Sequence, residues 1–201
     1  MAHLSPSNRA RAEAVVACYP KARSALLPLC HVAQSQDGWL TPEAMEEIAE
    51  LIGCTPAEVR GTASFYDMLY TEPVGRHVVA VCTNIACMLA GAYEVLEHAQ
   101  SSLGVGVGQT TDDGEFTLEE AECLAGCDRA PCVQVNHRFF GPIDSDGLDR
   151  LTEDLRSGAL SGEVPTHGVL SRVDRAVGLL ARRSPGAPSD DGPPGAPEAR
   201  P

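Results

Sequence analysis

Two hydrophobic periods divide the chain. Up to about residue 72 the apolar residues recur every three or four positions, the period of a helix face. A first helical segment is predicted over residues 6–18, stopping before Pro20. A second covers residues 21–36 and ends at Asp37-Gly38, with Pro28 inside it predicting a kink or a late start. The third is well punctuated, with Thr41 as N-cap, Pro42 at the first helical position and Gly53 just past the end. Its apolar residues Met45, Ile48, Ala49 and Ile52 fall on one helix face. The fourth opens with the capping box Thr55-Pro56-Ala57-Glu58 and is predicted to run towards Tyr70. Four short amphipathic helices predict a small bundle that packs on something else.

The period changes at Pro73-Val74-Gly75. Residues 77–82 (HVVAVC) form a β-branched run that reads as a buried strand ending in Cys82. A helix is predicted over residues 88–102, with Leu89, Tyr93, Leu96 and Ala99 at helical spacing and Cys87 at its mouth, where the helix dipole favours a thiolate. Asp112-Asp113-Gly114 reads as a turn, residues 115–118 as a strand, residues 131–136 (PCVQVN) as another, and Phe139-Phe140 as its continuation after a bend. Ser145 is the expected cap of a last helix carrying Leu148, Leu151 and Leu155 and closed by Gly158. The order predicts a small open α/β sheet with its cysteines in loops near strand ends, where such sheets place their sites. From about residue 159 regularity fades. Leu170, Val173, Val177 and Leu180 allow one weak helix, and residues 184–201, rich in Pro, Gly, Asp and Ser, are predicted to be disordered. The expected organisation is a helical region at 1–72, an α/β unit at 73–158 and a tail at 159–201.

Composition narrows the function. The net charge of −13 argues against nucleic acid and anionic membrane surfaces as partners. No apolar run reaches the roughly 18 residues of a membrane span, and the first residues lack the apolar stretch of a secretory signal. The cysteines are therefore expected to be reduced, and clustered cysteines then read as metal-binding or catalytic. Five of the eight lie in one stretch: Cys82 and Cys87 as C-x4-C, Cys123 and Cys127 as C-x3-C, and Cys132. Two close pairs of thiols suit zinc or an iron–sulfur cluster, and the wide C-x4-C loop better suits two irons. Cys18, Cys30 and Cys54 are isolated and read as small hydrophobes, as does Cys132. Gly104-Val105-Gly106-Val107-Gly108 is not a dinucleotide loop, because turn and strand signals follow it rather than a helix.

The runs Val81-Cys82-Thr83-Asn84-Ile85-Ala86-Cys87, Asp113-Gly114-Glu115-Phe116-Thr117-Leu118-Glu119-Glu120 and Glu122-Cys123-Leu124-Ala125-Gly126-Cys127-Asp128-Arg129-Ala130-Pro131 resemble the E-type subunits of NADH:quinone oxidoreductase, respiratory complex I. Upstream, Gln36-Asp37-Gly38-Trp39-Leu40 and Ala63-Ser64-Phe65-Tyr66 resemble them too, so the likeness covers about residues 20–158. It implies a helical region followed by a thioredoxin-like domain holding one [2Fe-2S] cluster on Cys82, Cys87, Cys123 and Cys127. It also implies a partner flavoprotein that binds NADH and FMN, other peripheral-arm subunits, and no direct membrane insertion. The implied place is cytoplasmic, peripheral on the inner membrane through the complex. Cys132 departs from the family pattern, which has an apolar residue there. The same module resembles small subunits of NAD-linked hydrogenases and formate dehydrogenases. A stand-alone thioredoxin-like ferredoxin and a zinc-stabilised interaction module are the competing readings.

Overall fold

The computed structural model describes residues 3–165. The tail expected at 184–201 and the weak helix around Leu170 to Leu180 lie outside them.

The helical region contains α1 (Pro6–Ala17), a 3₁₀ turn (Ala22–Ala25), α2 (Leu26–Asp37), α3 (Pro42–Ile52) and α4 (Pro56–Ala63). Pro28 does not kink α2. It stands in the first turn, where its missing N–H has no helical partner to lose, and the helix starts late behind the 3₁₀ turn. α3 forms as its punctuation predicts: Thr41 Oγ1 accepts from the Ala44 N–H at 3.1 Å, and Gly53 closes the helix in the left-handed conformation. Both halves of the Thr55–Glu58 capping box are made. Leu29, Leu40, Ile48 and Val59 are fully buried at the centre of this bundle.

α4 ends at Ala63, well short of the expected Tyr70. The reason is the buried amide of Gln34. Its Nε2 donates to the Met68 carbonyl at 2.9 Å and its Oε1 accepts from the Tyr70 N–H at 2.8 Å, while Leu40 N–H donates to the Tyr70 carbonyl at 2.7 Å. With those backbone groups satisfied from α2 and the α2–α3 connection, residues 64–70 need no helix.

The second unit is a four-stranded sheet in the order β2-β1-β3-β4, formed by β1 (His77–Cys82), β2 (Phe116–Ala121), β3 (Val133–Val135) and β4 (Arg138–Phe140). β1 pairs parallel with β2 and antiparallel with β3. The predicted single helix after β1 is two: α5 (Ile85–Leu89) and α6 (Ala92–Leu103). Gly91, at φ +96°, separates them in a conformation that a side chain disfavours. α6 and α7 (Ser145–Arg156) cover one sheet face, where Val79, Val81, Phe116, Leu118, Leu148 and Leu155 are buried together. Asp144, not Ser145, caps α7 by accepting from Gly147 N–H at 2.8 Å. Asn136 and His137, both at positive φ, make the tight turn between β3 and β4. Past residue 158, Val164 is buried against the sheet core, and Asn136 Nδ2 donates to the Pro165 carbonyl at 2.9 Å.

The other sheet face looks towards the helical region across a groove of about 310 Å³, lined by Asp67 and Tyr70 on one side and Val78, Glu119 and His137 on the other. His31 on α2 lies close enough to His137 to feel its charge. Among the described residues, His31 Nδ1 and His137 Nε2 are buried with no hydrogen-bond partner. Burial lowers both pKa values, with the His137 charge lowering His31 further. The unfolded chain therefore binds these protons first as pH falls. Their contribution to stability is full above the unfolded value of about 6.5 and is lost as pH falls towards the folded values. Glu119 has the opposite sign: burial, then Asp67, raises it, so its contribution is present below its unfolded value and lost as pH rises through the raised one. Between about pH 7.5 and about pH 5.5 the unaltered chain should lose more thermal stability on acidification than a chain without these two histidines, whose effect Glu119 opposes. Replacing both His31 and His137 by Gln should flatten that dependence.

Candidate metal centre

The site is assembled by strand register. Cys82 is the last residue of β1 and lies opposite Ala121, the last residue of β2. Because these strands are parallel, the loops that leave them emerge from the same sheet edge: residues 83–87 on one side and 122–127 on the other. β3 runs antiparallel to β1 with Val81 opposite Val133, so its start lies at that edge too. Backbone bonds fasten the corner. Cys82 N–H donates to the Cys132 carbonyl and Thr83 N–H to the Ala121 carbonyl, each at 3.0 Å. All five cysteines of the clustered stretch are thereby brought to one edge. Cys18, Cys30 and Cys54 remain in the helical region, Cys30 within its core.

The two pairs differ in exposure. Cys82 and Cys87 are buried and pack with Ala92 and Cys132, whereas Cys123 and Cys127 are exposed. The loops also touch through hydrogen bonds. Burial works to raise the Cys82 thiol, but the backbone N–H groups of Leu124 and Asn84, and then the Cys87 thiol, donate to its sulfur and hold its pKa below the ordinary value. Leu124 belongs to the second loop, so this bond couples C-x3-C to C-x4-C. Ala125, at φ +56°, directs its N–H to Cys123 Sγ at 3.4 Å.

Cys87 departs from its expected role at a helix mouth. It is the third residue of the five-residue α5, whose N-cap is Asn84. Burial pushes its thiol up to about 11. The Cys132 N–H donated to its sulfur opposes that rise, and the neighbouring Cys82 adds to it.

Four thiols with backbone N–H groups directed at three of their sulfurs fit a thiolate-held cluster, whose stability and potential depend on such bonds. Among the described residues no three His, Cys, Asp or Glu side chains are gathered as for a single ion. The thiols stand as two pairs on two loops, a division that one zinc and two linked irons both accept, and the wide C-x4-C loop favours the irons. None of the histidines among the described residues joins them; His98 instead pairs with Asp149 at 2.8 Å.

A model of the thioredoxin-like [2Fe-2S] ferredoxin family matches residues 12–156. The chain belongs to this family. The second E-type subunit of NADH-quinone oxidoreductase from Rhizobium meliloti is 40% identical over 149 residues, 74% of this chain and 89% of that protein. The E-type subunit of the Mycobacterium tuberculosis enzyme is 39% identical over 188 residues, 92% of this chain and 74% of the relative. Subunit 2 of the Thermus thermophilus enzyme is 40% identical over 147 residues, 73% of this chain and 81% of that one. Among solved structures, an NAD+-reducing [NiFe]-hydrogenase in its air-oxidised state superposes with a TM-score of 0.62 at 25% identity, covering 70% of this chain and 24% of the hydrogenase chain.

Within this ferredoxin fold the role of Gly126 is visible only in three dimensions. A glycine between paired cysteines signals close backbone approach, but what approaches is Cys132, just ahead of β3. A Cβ at Gly126 would stand 2.6 Å from Cys132 Sγ. Gly126→Ala should therefore destabilise the chain by about 1–3 kcal/mol, as overpacking does. Adding Cys132→Ala should recover much of that loss in thermal unfolding. Equal loss in the single and double variants would show that the contact is unimportant.

Proposed function

We infer that this chain is the electron-transferring [2Fe-2S] subunit of an NADH:quinone oxidoreductase, with Cys82, Cys87, Cys123 and Cys127 as the cluster ligands. The observation that carries the reading is the parallel β1–β2 register, which brings C-x4-C and C-x3-C to one edge and lets the Leu124 N–H reach the Cys82 sulfur. The NADH-quinone oxidoreductase relatives at 39–40% identity favour this setting over the hydrogenase one, which the structural likeness keeps as the second reading. When bound, such a cluster supplies a one-electron acceptor.

The chain's own residues set the conditions for that chemistry. Cys82 and Cys87 hold their sulfurs away from water, and the N–H groups of Leu124, Asn84, Cys132 and Ala125 compensate negative charge on the thiolates. Acidic side chains act in the other direction. Glu120, Glu122 and Asp128 are exposed around the site, and Arg129 is engaged with Asp128 at 3.5 Å. Adding an electron beside this charge is unfavourable, so the proposed centre has a low potential.

A hydride delivers two electrons, so the one-electron site needs a flavin that separates them. The proposed partner is the NADH- and FMN-binding subunit. Its docking face is the apolar strip beside Cys87, where Ile85 is 68% and Leu89 79% exposed, with Met88 and Tyr93 partly so. A partner that seats there reaches the site directly. The helical unit, with a boundary near residue 72 proposed on the strength of its separate apolar core, offers further docking surface. The proposed place is the cytoplasmic side of the inner membrane, reached through the complex. Among the described residues no helix is long and apolar enough to cross a membrane.

Ligation is tested by substitution. Cys82→Ser, Cys87→Ser and Cys123→Ser should each lose iron and labile sulfide, while Cys18→Ser, Cys30→Ser and Cys54→Ser should keep both. Normal iron in the Cys82 or Cys123 variant would overturn the assignment. Docking has a separate readout. Ile85→Glu with Leu89→Glu should weaken association with the flavoprotein subunit at least tenfold, a change of about 1.4 kcal/mol or more, and leave the cluster spectrum intact.

A further inference from the structure

We propose that Cys132 is a reserve ligand of the cluster, placed to take over the iron that Cys127 holds when Cys127 is lost. The inference rests on reading the site as a [2Fe-2S] centre. Cys132 is wholly buried, and its thiol makes a weak contact with its neighbour's carbonyl, Val133 O, at 3.9 Å. It packs against Cys82 and Cys87 themselves, together with Ala92.

Its place in the register explains how. β3 runs antiparallel to β1, and the Cys132 carbonyl accepts the Cys82 N–H at 3.0 Å, so residue 132 stands directly beside the deep pair. From the other side the second loop folds down on its sulfur. Gly126 comes so near that a Cβ there would meet Cys132 Sγ at 2.6 Å, and Cys127 is the next residue. The Cys132 sulfur therefore lies between the two pairs, beneath the backbone that carries Cys127. Cys127 itself is exposed and sits in a 3₁₀ turn, the less protected of the two positions.

The exchange needs no oxidant. The bond from iron to residue 127 is absent, a bond from iron to Cys132 Sγ forms, and the Cys132 thiol proton leaves to solvent through the exposed 123–127 loop. The electron count of the irons is unchanged. Cys132 replaces Cys127 rather than Cys82 because loss of Cys82 also removes the sulfur that accepts the Leu124 and Asn84 N–H groups and joins the loops.

The test uses the full chain, reconstituted with ferrous iron and sulfide and read by iron and sulfide content, visible circular dichroism and the paramagnetic signal after reduction. Alanine at 127 offers no donor atom, so a retained cluster requires another ligand. Cys127→Ala should keep most of its iron and sulfide with an altered dichroism spectrum, and Cys127→Ala with Cys132→Ala should lose both. Cys132→Ala alone should keep the unaltered spectrum. Loss of the cluster in Cys127→Ala, or its survival in the double variant, would overturn the proposal. Loss in Cys132→Ala alone would make Cys132 a resident ligand and overturn it as well. An unaltered chain that binds no cluster would instead sink the functional reading beneath it.

Discussion

The structure depends most on the parallel pairing of β1 and β2. Each strand carries its cysteine loop on the same end, so a shared direction is what converts two distant sequence pairs into neighbours. Had the strands been antiparallel, the loops would leave opposite edges of the sheet and the pairs could not meet. A parallel pair requires a crossover connection, and the chain supplies it with α5 and α6 between the strands. The same connection places Cys87 within α5. One topological choice thus sets the meeting of the loops, the burial of the first pair and the position of the apolar strip on Ile85 and Leu89.

Two opposed effects act on the sulfurs brought together there. Burial disfavours thiolates, and two thiolates side by side disfavour one another. Backbone N–H groups answer both. They are fixed dipoles belonging to the loop that also carries the ligands, so shaping the loop and stabilising the charge are one event. At Cys82 the donors outweigh burial; at Cys87, where the Cys132 N–H is the opposing donor and Cys82 is the neighbour, burial prevails. The asymmetry follows from position: Cys82 lies where both loops aim N–H groups, Cys87 where only the start of β3 does.

Much of this is legible in the sequence wherever a local signal coincides with a structural boundary. The caps of α3 and α4 are readable because Thr41, Thr55 and Glu58 bond within their own first turn. The strand at 77–82 is readable because all six of its residues are buried. Sequence and structure part where a distant partner decides. The segment after α4 runs out of the helix where Gln34, more than thirty positions earlier, takes the Met68 carbonyl and the Tyr70 N–H. The break at Gly91 is hidden because Leu89 and Tyr93 keep helical spacing across it, although both are solvent-exposed. At the site, residue types and spacing point to the four thiols, and the family resemblance to their cofactor. Neither shows that Cys132 sits beneath Gly126, because that contact depends on how β3 docks against β1.

The contrast between the two pairs bears on why this ferredoxin unit belongs in an assembly. A wholly buried site would be protected but remote from any donor; a wholly exposed one would be open to water and oxidants. Here one pair is held in the interior by β1 and α5, the helix that also exposes Ile85 and Leu89, and the other lies on a surface loop. Apolar side chains at 68% and 79% exposure are costly beside water and become favourable only when covered. Covering them with a partner would bring that partner to the site and shield the loop together. On the proposed reading, the exposed edge that leaves the isolated chain vulnerable would also be the edge through which an electron is exchanged, and association there would meet both requirements on one surface.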